Sequence, residues 1–328
     1  MARATALVVA GRHQNRVHVL PRSDFRHLHR SLRWDGPHTP DDQRGGQSSA
    51  ALAARPGQEL ALHPTADQRV SLLGVPVATG HLGECAAQVV CWAREPTPRP
   101  GARYVCATSV HGLVEGRRDP SFHTILRTAA MVTPDGVPLV WLGRLKGRRQ
   151  MTRVYGPDLM LEVCRLSNQS GRALRHFFYG GAPGVAEELG RRLAARFPAL
   201  IEAGSSSPPF RDLSVTELEA DAETINASAA DIVWVGLGTP KQERWAAAMC
   251  GRLRAKVLVT VGAAFDFHAG RLRQAPRSVQ RVGLEWAYRL LQEPRRLWRR
   301  YLTNNSRFIV LAALDLLGLS KNGVATEG

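Results

Sequence analysis

The sequence has no stretch of about eighteen consecutive apolar residues, the length that a membrane-spanning helix needs. Its N-terminal apolar run is short and is closed by Gly11, Arg12 and His13, so we expect no signal peptide. Cysteine is also scarce and scattered, and no two cysteines form a C-x-x-C pair. The five are Cys85, Cys91, Cys106, Cys164 and Cys250. This spacing argues against a disulfide framework and a structural zinc site, and favours free thiols in a reducing cytoplasm.

Acidic residues are few relative to basic ones. The 328 residues contain 44 Lys and Arg but only 28 Asp and Glu, which gives a net charge of +16. Such a balance favours an anionic partner, and nucleic acid, anionic lipid and a diphosphate substrate all fit it.

The chain divides into three parts by composition. Residues 1–67 lack periodicity and are rich in Arg, His, Pro, Gly and Ser, so we expect a disordered low-complexity tail. Residues 68–270 alternate between strand and helix patterns, which predicts an α/β domain with a mostly parallel, Rossmann-like sheet and helices on both faces. Residues 271–328 form a basic, amphipathic C-terminal segment.

The most regular stretch covers residues 231–267. The apolar run DIVWV stops at GLG, and TPKQE follows, with Pro240 predicted as the first helical residue and Thr239 as its cap. A second strand follows over residues 257–261, with Phe265-Asp266-Phe267 beyond it. Ligands of open α/β sheets bind beyond the carboxyl ends of the strands, so Gln242, Glu243 and Asp266 are candidate binding residues.

Polar residues follow other predicted strands as well. Thr108, Ser109 and His111 come after the strand at residues 103–107, and Asp135 lies on a turn between two apolar segments. A glycine-rich turn around Gly181 enters a helix and could bind phosphate, with Glu202 about twenty residues further on as a ribose-binding acid. A purely structural turn explains these glycines equally well.

The C-terminal segment combines arginine with large apolar side chains. Residues 271–300 contain nine arginines and only two acids, Glu285 and Glu293. Leu297, Trp298 and Tyr301 form an apolar stripe beside the arginines, which is typical of a helix lying on an anionic membrane. An amphipathic helix docked on the domain is the alternative.

Several of these stretches together resemble the WecG/TagA/CpsF glycosyltransferases of bacterial cell-surface polysaccharide synthesis. The matching motifs are TPDGVPLVW at 133–141, RVYGPDL at 153–159, GLGTPKQE at 236–243, GAAFDF at 262–267, and QRVGLEW and EPRRLW at 280–286 and 293–298. The likeness extends over about residues 70–318.

The resemblance implies transfer of a sugar from a UDP-sugar to a polyprenyl-diphosphate-linked sugar at the cytoplasmic face of the plasma membrane, with inversion at the anomeric carbon. It implies no cofactor and no metal. Donors in the family include UDP-N-acetylmannosamine, its uronic acid and UDP-glucose, and the polymers include exopolysaccharide, teichoic acid and capsule.

The resemblance also assigns roles to residues. Asp135 matches the aspartate expected to be the general base, and an Asx-turn before Gly136 is the structural alternative. Gln242 and Asp266 match positions near the donor sugar or uridine. Arginines matching those expected to stabilise the UDP diphosphate are Arg153, Arg289, Arg296 and Arg299. Their alternative role is simple attraction to anionic lipid.

One departure concerns the sugar specificity. Many members carry Thr-x-Asn near residues 107–109, where this chain has Ala-Thr-Ser and His111 two residues on. Because this Asn is missing, the sequence does not determine which donor sugar is used, but the expected class of reaction is unchanged.

Three competing functions remain open at this point. A nicotinamide oxidoreductase needs G-x-G-x-x-G after a strand, whereas Lys241 stands where the third glycine would be. A nucleic-acid-binding protein would use the positive charge and would bind in a strongly salt-dependent way without lipid. A catalytically inactive scaffold has the same sequence pattern. A homo-oligomer is a further expectation that the sequence does not decide.

Overall fold

The structure is a computed structural model that describes residues 68–96, 101–169 and 172–319. The side chains of Arg281, Arg296, Leu297 and Arg300 are outside the description as well. The tail expected over residues 1–67 therefore lies outside the described residues.

Six of the strands form one parallel sheet in the order β4-β3-β8-β7-β5-β6. They are β3 (Arg103–Thr108), β4 (Met131–Pro134), β5 (Arg175–Gly180), β6 (Ile201–Ser206), β7 (Ile232–Gly236) and β8 (Val257–Thr260). A separate antiparallel hairpin precedes them, made of β1 (Arg69–Leu72) and β2 (Val75–Ala78). The predicted α/β class with a parallel sheet is confirmed.

The helices connect the strands and continue beyond the last one. Up to β8 they are α1 (Leu82–Arg94), α2 (Val110–Arg118), α3 (Pro120–Thr128), α4 (Val137–Leu145), α5 (Gly156–Gln169), α6 (Val185–Arg196), α7 (Val215–Ala227) and α8 (Lys241–Met249). After β8 come α9 (Ala264–His268), α10 (Arg277–Arg281), α11 (Glu285–Gln292) and α12 (Pro294–Leu316).

Both faces of the sheet are buried, and β7 shows how its sequence achieves this. Successive side chains of a strand point to opposite faces. Val233 and Val235 pack into one apolar cluster with α2, α3, α4 and α8. Ile232 and Trp234 pack into a second cluster with α1, α5, α6 and α9. Each such fully buried large side chain contributes about 1.5–3 kcal/mol to folding.

Two local predictions need correction. Pro240 does not begin α8: it precedes the helix, which starts at Lys241, and the Thr239 hydroxyl donates to the side chain of Glu243 instead of capping. Glu202 lies near the amino end of the edge strand β6, opposite His176, and it does not line the cavity described below, which lies at the carboxyl ends. It is therefore not placed to bind a ribose there.

The C-terminal helix α12 docks on the domain along one face. Asn304 hydrogen-bonds His111 on α2 at 2.8 Å, and Phe308 joins the core. Asp315 accepts hydrogen bonds from the Leu73 backbone at 3.1 Å and from Lys146 at 2.7 Å. Other apolar side chains of α12 remain exposed, including Trp298, Leu302, Ile309 and Val310. The helix is thus docked on the domain, which was the alternative to a membrane-bound helix, and it also has an exposed apolar surface.

Candidate active site

A cavity of about 970 Å³ lies beyond the carboxyl ends of the sheet strands. Its inner wall consists of the turns that follow β3, β4, β7 and β8, and its outer wall consists of α4 and the C-terminal helices. A crevice in this place is where open α/β sheets bind their ligands. The basic C-terminal segment therefore forms part of the same cavity as the strand ends.

Asp135 lies on the turn between β4 and α4 and lines the cavity. Its backbone N–H donates to the carbonyl of Thr108 at 2.9 Å, and its Oδ1 accepts from the backbone N–H of Gly156 at 3.2 Å. These bonds hold the carboxyl group at the cavity wall. Burial raises the pKa of Asp135 from 3.8 to about 6, although Arg153 and Arg289 act in the opposite direction. Such a carboxyl group is ionised at neutral pH and is basic enough to accept a proton.

A network of charged and polar groups lies beside Asp135. Arg153 donates from Nε to the Asp135 carbonyl at 2.6 Å and from Nη2 to Glu285 at 2.5 Å. The hydroxyl of Tyr155 donates to the other oxygen of Glu285, and the Arg153 guanidinium lies 3.8 Å from the Tyr155 ring centre. Burial and the charges of Glu285 and Asp135 raise the pKa of Tyr155, which keeps its hydroxyl protonated. The network therefore ties α11 to the strand-end wall that carries Asp135.

Arg289 supplies a second cation to the cavity. It lies one helical turn after Glu285 on α11, and its guanidinium is 5.7 Å from the ring centre of Phe267. Its Nε is buried and has no hydrogen-bond partner. A buried guanidinium N–H normally has a partner. Arg289 also lines the cavity, so its guanidinium group can contact a ligand that binds there.

The turn between β7 and α8 is held by its own side chains. Gln242 accepts from the backbone N–H of Gly238 at 3.2 Å and donates to Glu243 Oε1 at 3.0 Å, and Thr239 donates to the same oxygen at 2.8 Å. Gln242 lines the cavity, whereas Glu243 is only 1% exposed and lies behind it. Burial raises the pKa of Glu243. Hydrogen bonds within the turn thus hold this part of the cavity wall in place, and the Glu243 carboxyl group lies behind it.

Most of the residues singled out from the sequence meet in this cavity. Those that line it are Ser109, His111, Asp135, Arg153, Gly181, Gln242, Asp266 and Arg289. Thr108 and Glu243 are buried behind the wall, and Arg299 is exposed with its guanidinium over Trp298. The Arg296 side chain lies outside the described residues, so its expected role stays a prediction.

Several lining residues were not singled out from the sequence. They are Tyr155, Glu285, Asn304, Asn305, Trp141 and Trp286. Glu285 could have been found, because it is one of two acids among nine arginines in residues 271–300 and a charge of the rarer sign there suggests a specific partner. Asn304 and Asn305 carry no such signal, since their place depends on how α12 docks.

Two further properties concern only the part of the chain that the structure describes. No group of three or more His, Cys, Asp and Glu side chains has an arrangement that could hold a metal ion. No helix within residues 68–96, 101–169 and 172–319 has both the length and the apolar composition to cross a bilayer.

Comparison with known proteins gives consistent matches. The model of the Glycosyl transferase WecG/TagA/CpsF family matches residues 70–322. An N-acetylglucosaminyldiphosphoundecaprenol N-acetyl-beta-D-mannosaminyltransferase of Bacillus spizizenii is 34% identical over 203 residues, which cover 62% of this chain and 76% of that protein. The enzyme of the same name from Bacillus subtilis is 29% identical over 205 residues, 62% of this chain and 75% of its own.

Proposed function

Since the chain belongs to the WecG/TagA/CpsF family of glycosyl transferases, we propose that it transfers a sugar from a UDP-sugar to a sugar linked through diphosphate to a polyprenol. The product would be an intermediate of a cell-surface polymer such as teichoic acid, exopolysaccharide or capsule. The observation that carries the proposal is one cavity lined by both a carboxyl group with a raised pKa, Asp135, and a partly buried cation, Arg289, whose Nε has no partner.

Asp135 acts as the general base in the proposed reaction. The acceptor hydroxyl oxygen forms a bond to the anomeric carbon of the donor, while its proton passes to the Asp135 carboxylate. The bond between the anomeric carbon and the UDP oxygen breaks, and UDP leaves with the electron pair. Attack from the face opposite the leaving group inverts the anomeric configuration.

Arg289 stabilises the negative charge that develops on the departing diphosphate. A guanidinium donates two parallel hydrogen bonds to phosphate oxygens, and such preorganised donors are worth most in a cavity from which water is excluded. Arg153 already donates to Glu285 and to the Asp135 carbonyl. We therefore give Arg153 the task of fixing Asp135 and α11, and Arg289 the direct contact with the diphosphate. The transfer would then proceed without a metal ion.

The remaining assignments concern the donor side of the cavity. We propose that Gln242 and Asp266, on the helices that follow the neighbouring strands β7 and β8, face the donor sugar or uridine, and that Ser109 and His111 lie near the sugar. Gly181 would contact the donor through its backbone, which lines the cavity; its φ of 75° excludes most other residues there. Both named relatives transfer N-acetylmannosamine, so a UDP-N-acetylmannosamine-type donor is our first choice and UDP-glucose our second.

The proposed acceptor indicates where the enzyme acts. A polyprenol-linked acceptor resides in the membrane, and we propose peripheral binding to the inner face of the plasma membrane through α12. Support comes from the exposed Arg295, Arg299 and Trp298, since arginine attracts anionic lipid and tryptophan prefers the interface. Arg295→Ser with Trp298→Ser should lower co-sedimentation with phosphatidylglycerol vesicles. Unchanged sedimentation would contradict this surface.

The central experiment offers the full chain a panel of UDP-sugars with N-acetylglucosaminyl-diphosphate lipids and measures UDP release. Release with at least one pair is the expected result, and it should persist in EDTA. The absence of release with every pair would overturn the proposed function. Release only after addition of a divalent ion would overturn the metal-independent part alone.

A further inference from the structure

The cavity continues past its charged end into an apolar groove between α4 and α12, which we call the α4–α12 groove. Its lining residues are Val137, Trp141, Leu142 and Leu145 on α4, and Phe308, Ile309, Ala312, Ala313 and Leu316 on α12. On each helix these residues are single positions or adjacent pairs separated by three or four residues, so each helix presents one face to the groove.

Polarity changes in one direction along α12. Its first cavity-lining residues, Tyr301, Asn304 and Asn305, are polar, and they precede the apolar set. The distance along the helix from Asn304 to Leu316 is ~18 Å. The described charged residues that line the cavity lie on the turn after β4, on the segment before α5, on α9 and on α11, and none of them lies on α4 or α12. Head and tail of an amphiphile would therefore find different surroundings at the two ends.

Apolar side chains in the groove face solvent in this structure. Leu145 is 71% exposed, Trp141 is 53% exposed and Ile309 is 68% exposed. An apolar surface of this kind, joined to a site, usually marks a binding groove. Lys146 and Asp315, which are adjacent to the lining residues Leu145 and Leu316, form a 2.7 Å ion pair of low exposure that holds the two helices together.

We propose that the α4–α12 groove binds the first isoprene units of the acceptor lipid, with the sugar-diphosphate head in the charged end beside Asp135. This inference rests on the proposed function. The groups that line the cavity follow the order of the groups in such a molecule. The carboxyl group, the cation and the amides would face its sugar and diphosphate, and the apolar side chains would face its branched hydrocarbon chain. Binding of the chain by the protein, in addition to the bilayer, would fix the depth at which the acceptor hydroxyl reaches Asp135.

The experiment compares ligands with the same diphosphate and different chains, in buffer without vesicles or detergent. Calorimetric titration of the full chain with farnesyl diphosphate and with dimethylallyl diphosphate should show at least about tenfold tighter binding of the longer chain, because more CH₂ and CH₃ groups are buried. This measurement does not depend on sugar transfer, so it tests the groove even if no UDP-sugar supports turnover.

Variants in the groove sharpen the test. Ala313→Phe fills the groove and Leu145→Gln makes its wall polar, and both positions are exposed, so neither change should unfold the protein. Each should lower the preference for farnesyl by on the order of tenfold. Val310→Phe is the matched control, since Val310 is 60% exposed on the same helix and does not line the cavity. Its preference should equal that of the wild type.

Three results would overturn the proposal. The first is equal affinity for both diphosphates in the wild type. The second is a farnesyl preference that Ala313→Phe and Leu145→Gln leave unchanged. The third is a wild-type dimer, measured by light scattering, that Ala313→Phe converts to a monomer, because the groove would then hold a second copy of this chain. Failure of the proposed function looks different: it leaves the farnesyl preference intact and gives no UDP release.

Discussion

Arg153 and Glu285 form a 2.5 Å ion pair between the strand-end wall and the C-terminal helices, with only 18% and 13% of their side chains exposed. The pair joins residues that are 132 positions apart in the sequence. Because Arg153 also donates to the carbonyl of Asp135, the ion pair couples the position of α11 to the position of the proposed base.

Glu285→Gln tests this coupling. The negative charge of Glu285 raises the pKa of Asp135, so its removal should lower that pKa and shift the acid limb of the kcat profile down by about one pH unit. A weaker base and a released Arg153 should also reduce kcat by about tenfold. Glu188→Gln, which breaks an exposed pair with Arg191, is the control and should change neither property. An unshifted acid limb in Glu285→Gln would contradict the coupling.

Asp135→Asn removes the proposed base itself. We expect kcat to fall by a factor on the order of 10²–10⁴ with little change in donor KM, because proton acceptance is lost and the contacts with UDP remain. In the wild type kcat should fall as pH drops through about 6, where the raised pKa of Asp135 leaves the carboxyl protonated. Steady-state UDP release over a pH range measures both effects. Full activity of Asp135→Asn would remove Asp135 from the chemistry.

Asp135 should also lower the stability of the folded protein at neutral pH. Its pKa is about 6 in the folded state and 3.8 as the ordinary value, so the folded protein holds the proton more tightly. Folding is therefore relatively favoured below pH 4, and that advantage is lost as pH rises through 6. At pH 7.5 Asp135→Asn should gain about 1–3 kcal/mol in urea unfolding, and the gain should shrink toward pH 4.5.

The control for this effect is Asp119, whose pKa is lowered to about 2 by hydrogen bonds from Ser121 and Phe122 and by Arg244. Asp119→Asn should therefore not gain stability at neutral pH. A gain in Asp135→Asn that is independent of pH would show that the carboxyl charge is not its cause.

The sequence predicted the inner wall of the site far better than the outer wall. Asp135, Gln242 and Asp266 follow strands, and strand ends of a parallel sheet meet at one edge, so local pattern was enough to bring them together. The side chains of α11 and α12 were predicted only as a basic amphipathic surface. Their contacts arise from docking between residues far apart in the chain, such as Asn304 with His111, and no local periodicity encodes that.

Local sequence also could not show that Arg153 and Arg289 have different roles. Arg153 and Arg289 are equivalent as sequence, since the resemblance matches both to arginines expected to stabilise the UDP diphosphate. The structure distinguishes them by their partners: Arg153 donates to Glu285 and a carbonyl group, whereas the Nε of Arg289 is buried without a partner. Hydrogen-bond satisfaction is a property of packing and could not be predicted from residue type.

Arg289→Met should therefore weaken UDP binding more strongly than the substitution of any exposed arginine of the same segment. We expect kcat/KM for the donor to fall by about 10²–10³ and UDP binding to weaken in calorimetry, because one preorganised donor to the diphosphate is lost. Arg289→Lys should recover part of the loss through its charge, but not the bidentate geometry. Arg295→Met, at an exposed position of α12, is the control and should bind UDP normally. Normal UDP affinity in Arg289→Met would contradict the assignment.

Asp315 should determine how firmly α12 closes the cavity. Its carboxylate accepts from Lys146 and from the backbone of Leu73, and its side chain is only 10% exposed. Asp315→Asn keeps the shape of the side chain but removes the charge, which should cost about 1–3 kcal/mol of local stability. The C-terminal half of α12 should then open more often and exchange its amide hydrogens about 5–150 times faster, while the core strands β3 and β8 exchange as before.

Asp212→Asn, which removes a fully exposed partner of Lys241 at 3.6 Å, provides the comparison and should leave α12 unchanged. Because the same helix supplies Asn304 and the apolar wall of the groove, Asp315→Asn should also raise the KM for a farnesyl-linked acceptor more than for a dimethylallyl-linked one. Equal exchange in Asp315→Asn and the wild type would mean that other contacts, such as those of Phe308 and Asn304, hold α12 in place without the Asp315 charge.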